Sequence, residues 1–229
     1  MTQSRSELTN DRNSRQTDPQ GGCLSGFLIP PLVILCFGLI LAFGTSSLTT
    51  LDSQPKTQIA NPNGVLAPLF TPEIQFWSAN IARWSTEHGL DPNIAATVMQ
   101  IESCGNPSAR SSAGATGLFQ VMPFHFLDYE DAYDPDINAL RGLNYLAKSL
   151  EQSGGDARLA LAGYNGGIGV IGRGESSWAA ETNSYAYWGS GIYNDAAQNS
   201  STSARLDEWL AAGGYSLCKT ARDRLGLNQ

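Results

Sequence analysis

Positive charge is scarce in this chain: 14 lysines and arginines stand against 21 acidic residues, for a formal net charge of −7. Such an acidic balance argues against holding nucleic acid or anionic lipid through bulk electrostatics. Histidine is scarcer still. His88 and His125 stand alone, without a partner at ligand spacing, so they read as surface or core residues rather than as a metal site. No alternating run reads as a strand ladder, and no segment repeats. Nothing in the pattern asks for a metal or a cofactor.

One long stretch lacks charge altogether. Residues 24–43, LSGFLIPPLVILCFGLILAF, carry no ionisable acid or base, and about 20 apolar residues suffice to cross a bilayer as a helix. Arg5, Arg12 and Arg15 precede the run and only Lys56 follows closely, which favours the N-terminus on the cytoplasmic side and the rest outside. Residues 23–44 therefore read as a transmembrane anchor, with Pro30-Pro31 as a tolerable kink. A cleaved signal peptide is the alternative, with Ala42-Phe43-Gly44 as its small-x-small site, but the run is longer than a usual signal core. Residues 1–22 are polar and read as a disordered cytoplasmic tail, and residues 45–70, rich in Thr, Ser, Pro and Asn, read as a linker. Residues 71–229 are expected to form one compact, mostly α domain.

Cysteines are few as well. Cys23 and Cys36 fall at or in the membrane run, whereas Cys104 and Cys218 lie beyond it, where disulfides survive. Topology makes Cys104–Cys218 the plausible bridge; two buried free thiols are the other reading.

Helical punctuation begins at Thr71-Pro72, a cap followed by a proline at the first helical position. Ile74, Trp77, Ile81 and Trp84 form one apolar stripe, and Gly89 ends it. Asp91-Pro92 opens a second helix on which Ile94, Val98, Ile101 and Glu102 share a face. Gly105 and Pro107 follow at once, so Glu102 sits in the last turn. Asp134-Pro135 starts a third helix, with Ile137, Leu140, Leu143, Leu146 and Leu150 as its apolar side, and Asp156 caps a short fourth ending in AGYNGG. A further helix spans about Thr182 to Gln198, and a short one surrounds Leu206–Ala212.

A carboxyl on the buried side of a helix, at the end where the macrodipole is negative, is pushed toward its neutral form. A glutamate that is protonated near neutral pH serves as a general acid, which is what a breaking glycosidic bond requires. From the helix pattern alone a partly exposed helix-end residue with no role is the equal alternative. The loop after Glu102 adds to the case. Gly114 and Gly117 permit close backbone approach, and Ser111 and Gln120 offer hydrogen bonds suited to neutral hydroxyl and acetamido groups.

Glu102-Ser103, then Asn-Pro-x-Ala-x-Ser, then Gly-Ala-x-Gly-Leu-x-Gln-x-Met-Pro ending at Pro123, resembles the soluble-lytic-transglycosylase type of murein-cleaving enzyme. The likeness continues through Gly142-Leu143-x-Tyr145-Leu146 and Gly163-Tyr164-Asn165-Gly166-Gly167, covering roughly residues 75–195. It implies a lysozyme-like, goose-type fold. It also implies a single catalytic acid and base at Glu102, substrate-binding residues at Ser111, Gln120, Tyr164 and Asn165, with Met122 packing near the site, no metal or cofactor, and peptidoglycan glycan strands as the partner. Phe119 stands where methionine is common, and Gly163, Gly166 and Ile168 replace the usual alanines and proline.

Other signals are weaker. Gly167, Gly169 and Gly172 match G-x-G-x-x-G, but no strand precedes them, so a dinucleotide site is set aside. Trp77 and Trp84 read as core. Tyr185, Trp188 and Tyr193 read as core, with a sugar-stacking wall as the alternative. The acidic cluster of Asp128, Glu130, Asp131, Asp134 and Asp136 reads as a cap and a solvated turn. It keeps open a lysozyme-like muramidase, which would need a second carboxylate. A membrane-tethered glycan-binding module with a vestigial site is the non-enzymatic alternative.

Overall fold

A computed structural model of the chain describes residues 66–228. The expected tail, the anchor and nearly all of the linker lie outside the described residues. Among the described residues, no helix is long and apolar enough to cross a membrane.

The described part is mostly helical, as the punctuation predicts, but the first expected helix is two. α1 (Pro72–Phe76) stops at Trp77, and α2 (Ser78–His88) restarts from it. The break lets the Trp77 indole N–H donate to the Gly105 carbonyl at 2.8 Å. The stripe Ile74, Trp77, Ile81 and Trp84 still faces inward throughout. Thr71 does not cap through its side chain. Its hydroxyl donates instead to the Gln100 amide oxygen at 3.1 Å, because that buried amide needs a donor. Gly89 ends α2 in the left-handed conformation, with φ of 65°.

α3 (Pro92–Glu102) is capped as expected by Asp91, whose side chain accepts from Asn93 N–H. Its burial goes beyond one stripe: every residue from Pro92 to Gln100 is buried. A helix covered on all sides is a central helix. α2 and α6 pack directly on it.

α4 (Pro135–Gln152) is capped by Asp134, and α5 (Ala157–Gly166) by Asp156. Leu143, Leu146 and Leu150 of α4 are buried, but Leu140 lies on the outer side. α6 (Ala180–Ala197) packs on both α3 and α5. Its interior glycine Gly189 fits under Leu161 and Ile101, which explains how a helix with two glycines closes so tightly.

α7 (Ala204–Trp209) runs through a π-helical turn at Leu210–Gly214 into α8 (Tyr215–Leu225), an element that sequence periodicity does not reveal. α8 packs on α1 and carries Cys218, which is disulfide-bonded to Cys104 as topology suggested. Arg222 of α8 also pairs at 2.6 Å with Glu73, a fully buried carboxylate of α1. Among the described residues the only strand-like features are two isolated bridges, Arg110 with Thr116 and Thr116 with Val121.

Candidate active site

Glu102 is the last residue of α3, and the chain leaves it under tight control. Ser103, fully buried, donates its hydroxyl to the Leu118 carbonyl at 2.6 Å and accepts from Gly105 N–H at 3.1 Å. Cys104 follows with φ of 49°, a left-handed conformation unusual for a residue with a side chain, and is fixed by its bond to Cys218. Gln100, one turn earlier, donates to the Cys104 sulfur at 3.0 Å. The acid thus stands at a junction where a helix, a loop and the C-terminal helix are joined.

The loop that returns past Glu102 is organised by Asn138 of α4. This buried amide accepts from Phe119 N–H at 2.8 Å and donates to the carbonyls of Thr116 at 2.8 Å and Ala132 at 3.0 Å. Gly117, with φ of 78°, is needed because any Cβ there would collide with that amide. The close approach expected at this glycine is therefore made to the protein's own interior rather than to a ligand. Gly142 plays the matching part on α4, where a side chain would drive into Phe119 and the Tyr164 hydroxyl.

An open cleft of about 360 Å³ lies along this loop. Gln120, Met122, Tyr164 and Asn165 all line it, together with Phe124, His125 and Tyr145. Gln120 sits at φ of 46° and donates to the Gly117 carbonyl at 2.9 Å, which leaves a second amide proton and the amide oxygen beyond that bond. Asn165 accepts from the Thr182 hydroxyl at 2.9 Å. Tyr164 donates to the Phe119 carbonyl at 2.8 Å, so its ring is held. Ser111 is placed differently. Its hydroxyl accepts from Ala115 N–H at 3.0 Å inside the loop and does not line the cleft.

Glu102 is partly exposed and does not line this cleft itself, but it lies within electrostatic reach of Tyr164, which does. Among the described residues, no lysine or arginine forms an ion pair with it. Its carboxyl is pushed up to about 8. Burial among surrounding atoms is the main cause; the Tyr185 hydroxyl opposes it and the nearby negative charge of Glu181 adds to it. Tyr185 of α6 is buried, and its hydroxyl has no partner at ordinary hydrogen-bond distance. Its interaction with Glu102 is thus a long approach rather than a closed bond.

Two of these groups escape sequence reasoning. Tyr185 reads as core, which its ring is, while its hydroxyl end faces the acid. Glu181 stands four residues earlier on the same helix, and an i, i+4 spacing from Tyr185 is the signal that would have found it. The acidic cluster does not supply a neighbour to Glu102. Glu130 is clamped by Arg141 in two hydrogen bonds of 2.9 and 2.5 Å, Asp136 accepts from Arg83 and from the Trp84 indole, and Asp134 caps α4. Pairing with arginine holds Glu130 and Asp136 below the usual carboxylate range. The one cluster of three potential metal ligands among the described residues is Glu73, Cys104 and Cys218, whose sulfurs are bonded to each other.

The sequence that builds this arrangement is similar to known proteins. Residues 79–186 match the family model of the transglycosylase SLT domain. Over those residues the chain is similar to an SLT transglycosylase domain. Over 114 residues it is 39% identical to the transglycosylase of Enterobacteria phage PRD1, covering 49% of this chain and 40% of that protein. It is 30% identical over 101 residues to the soluble lytic murein transglycosylase of Salmonella typhimurium, covering 39% of this chain and 16% of that one. It is 25% identical over 130 residues to the membrane-bound lytic murein transglycosylase E of Buchnera aphidicola, covering 51% of this chain and 57% of that protein. The chain thus spans less than half the length of the first two relatives. The SLT domain accounts for α2 to α6 up to Ala186 and contains Glu102, the cleft wall, Glu181 and Tyr185. α7, α8 and Cys218 lie beyond it.

Proposed function

We propose that the SLT domain, on a lysozyme-like helical scaffold, cleaves the β-1,4 bond between N-acetylmuramic acid and N-acetylglucosamine in peptidoglycan without water, leaving 1,6-anhydro-N-acetylmuramic acid ends. The observation that carries this reading is the state of Glu102: with its carboxyl pushed up to about 8, it is mostly protonated at neutral pH, within electrostatic reach of Tyr164 in the wall of an uncharged cleft.

Neutral Glu102 gives its proton to the oxygen of the bond that breaks, and the leaving sugar departs as an alcohol. The substrate's own acetamido group stabilises the positive charge at the anomeric carbon, the substrate-assisted exception to two-carboxylate glycoside cleavage. Glu102, now a carboxylate, takes the proton of the 6-hydroxyl, whose oxygen closes on the anomeric carbon. Tyr185 donates to the carboxylate while it is charged, which lowers the energy of the state between the two proton transfers. Gln120, Met122, Tyr164 and Asn165 hold the strand, and Ser111 shapes the loop that carries Gln120. No metal or cofactor enters this scheme. The catalytic part works outside the cytoplasm, with residues 23–44 as a single-pass anchor.

Glu181 favours one other reading. A second carboxylate within electrostatic reach of Glu102 could activate a water, as a hydrolysing muramidase requires. Mass analysis of the products from purified murein sacculi separates the two. Anhydro ends are expected, reducing ends would replace the proposal by hydrolysis, and equal release by the parent and Glu102→Gln would remove Glu102 from its role.

A further inference from the structure

We propose that Phe124 and His125 form a stacking platform for an N-acetylglucosamine-type pyranose ring of the glycan, seated at the rim of the cleft. The inference rests on the glycan-cleaving reading above and adds a specificity element to it.

Phe124 stands 75% exposed, although Phe126 only two residues on packs against the core. A phenylalanine so placed adds little to the interior, and it lines the cleft together with His125, Tyr145 and Tyr164. The rings are arranged in a run. Phe124 lies 4.6 Å from His125, His125 lies 5.0 Å from Tyr145, and Tyr145 lies 5.8 Å from Tyr164 between ring centroids. The run leads from solvent to the tyrosine that senses the charge of Glu102.

The inner part of this run is held in place before any ligand arrives. Pro123 opens the 3-10 turn Pro123–His125 and fixes its entry. The Tyr145 hydroxyl accepts from Ile168 N–H at 3.3 Å, and the Tyr164 hydroxyl is bound to Phe119. A preorganised surface loses little freedom on binding.

The chemistry of the occupant follows from the lining. It contains aromatic faces and the amides of Gln120 and Asn165, but no lysine, arginine, aspartate or glutamate. Aromatic faces suit the C–H faces of a pyranose, and amides suit its hydroxyl and acetamido groups. The ionised carboxylates and ammonium groups of a murein peptide stem would find no counter-charge there.

The test uses the full chain carrying Glu102→Gln, so that glycan is bound without being cut. A β-1,4-linked tetramer of N-acetylglucosamine is titrated by calorimetry, beside a free murein stem peptide. Adding Phe124→Ala is expected to weaken binding of the tetramer about tenfold, and Phe124→Trp to retain it. The melting temperature should not move with either change, because the side chain lies outside the core. Unchanged tetramer binding with Phe124→Ala, or a loss confined to the stem peptide, overturns the platform and leaves the proposed function standing. So does a parent that fails to bind the tetramer while the wild-type chain still cuts sacculi. If the parent binds no tetramer and the wild type releases nothing from sacculi, both readings fall.

Discussion

The two ends of α3 carry the same chemical pair in opposite states. At the N-terminal end, the buried carboxylate of Asp91 accepts from Asn93 N–H at 2.9 Å and from the Tyr193 hydroxyl at 3.2 Å. At the C-terminal end, Glu102 faces Tyr185 from the same helix α6, whose hydroxyl favours the charged carboxylate but has no partner at ordinary hydrogen-bond distance. α3 and α6 run antiparallel, so one helix offers a tyrosine to each carboxyl. Where the bonds are closed, the carboxylate is a structural cap. Where they are left open and a like charge stands nearby, burial prevails and the proton stays on. The comparison teaches that residue type alone does not set what a carboxyl can do; its burial and the groups that face it do.

The largest effect that tests this contrast comes from Glu102→Gln. Turnover of sacculi should fall by roughly 10²–10⁴-fold or more, the range for a lost general acid and base. The same change should stabilise the protein at alkaline pH. The folded state holds the Glu102 proton up to about 8, whereas the unfolded chain releases it near the ordinary value of 4.5. The folded state therefore binds more protons between those values, and stability falls as pH rises through that window. Melting temperatures should favour the glutamine variant at pH 8 by the equivalent of a few kcal/mol and coincide with the parent at pH 4. Asp91→Ala should do the reverse, losing about 1–2 kcal/mol in denaturant titration through the lost cap. A parent that equals Glu102→Gln at pH 8 would show that Glu102 does not hold its proton above the ordinary carboxyl range.

Next comes the covalent tie at the open end of α3. Cys218→Ser removes the only bond between sulfurs among the described residues and frees Cys104 in its left-handed conformation. Loss of a native disulfide typically lowers stability by about 2–5 kcal/mol, read here as a lower midpoint in urea. Activity below the new midpoint temperature should drop more than for Asp91→Ala, because the strained residue stands two positions from the acid.

Tyrosine replacements sharpen the comparison further. Tyr185→Phe should lower turnover about tenfold and move the alkaline limb of the pH–rate profile upward, since the hydroxyl favours the charged form of Glu102. Tyr193→Phe should leave that limb in place and lower stability by about 1 kcal/mol. The smallest effect belongs to Glu181→Gln, which removes a like charge from Glu102 and should shift the limb downward by a fraction of a unit. A limb that ignores both Tyr185 and Glu181 would mean that another group limits the rate.

Much of this was written in local signals. Asp91-Pro92, Asp134-Pro135 and Asp156 are start marks that act within three residues, and each forms the cap it announces. The apolar spacing from Ile74 to Trp84 and the position of Glu102 at the end of its helix are equally local, and the ordered motifs around Glu102 carry the similarity to the SLT domain. The sequence by itself determined those elements because helix capping and periodicity depend on neighbours along the chain. Only the tertiary structure decided that Gly117 yields to Asn138, that Ser111 serves its loop, that α8 forms after a π-helical turn, and that Tyr185 and Glu181 meet Glu102. Those relations join residues far apart in sequence, and the charge on a carboxyl is set by every group around it rather than by its place in the chain.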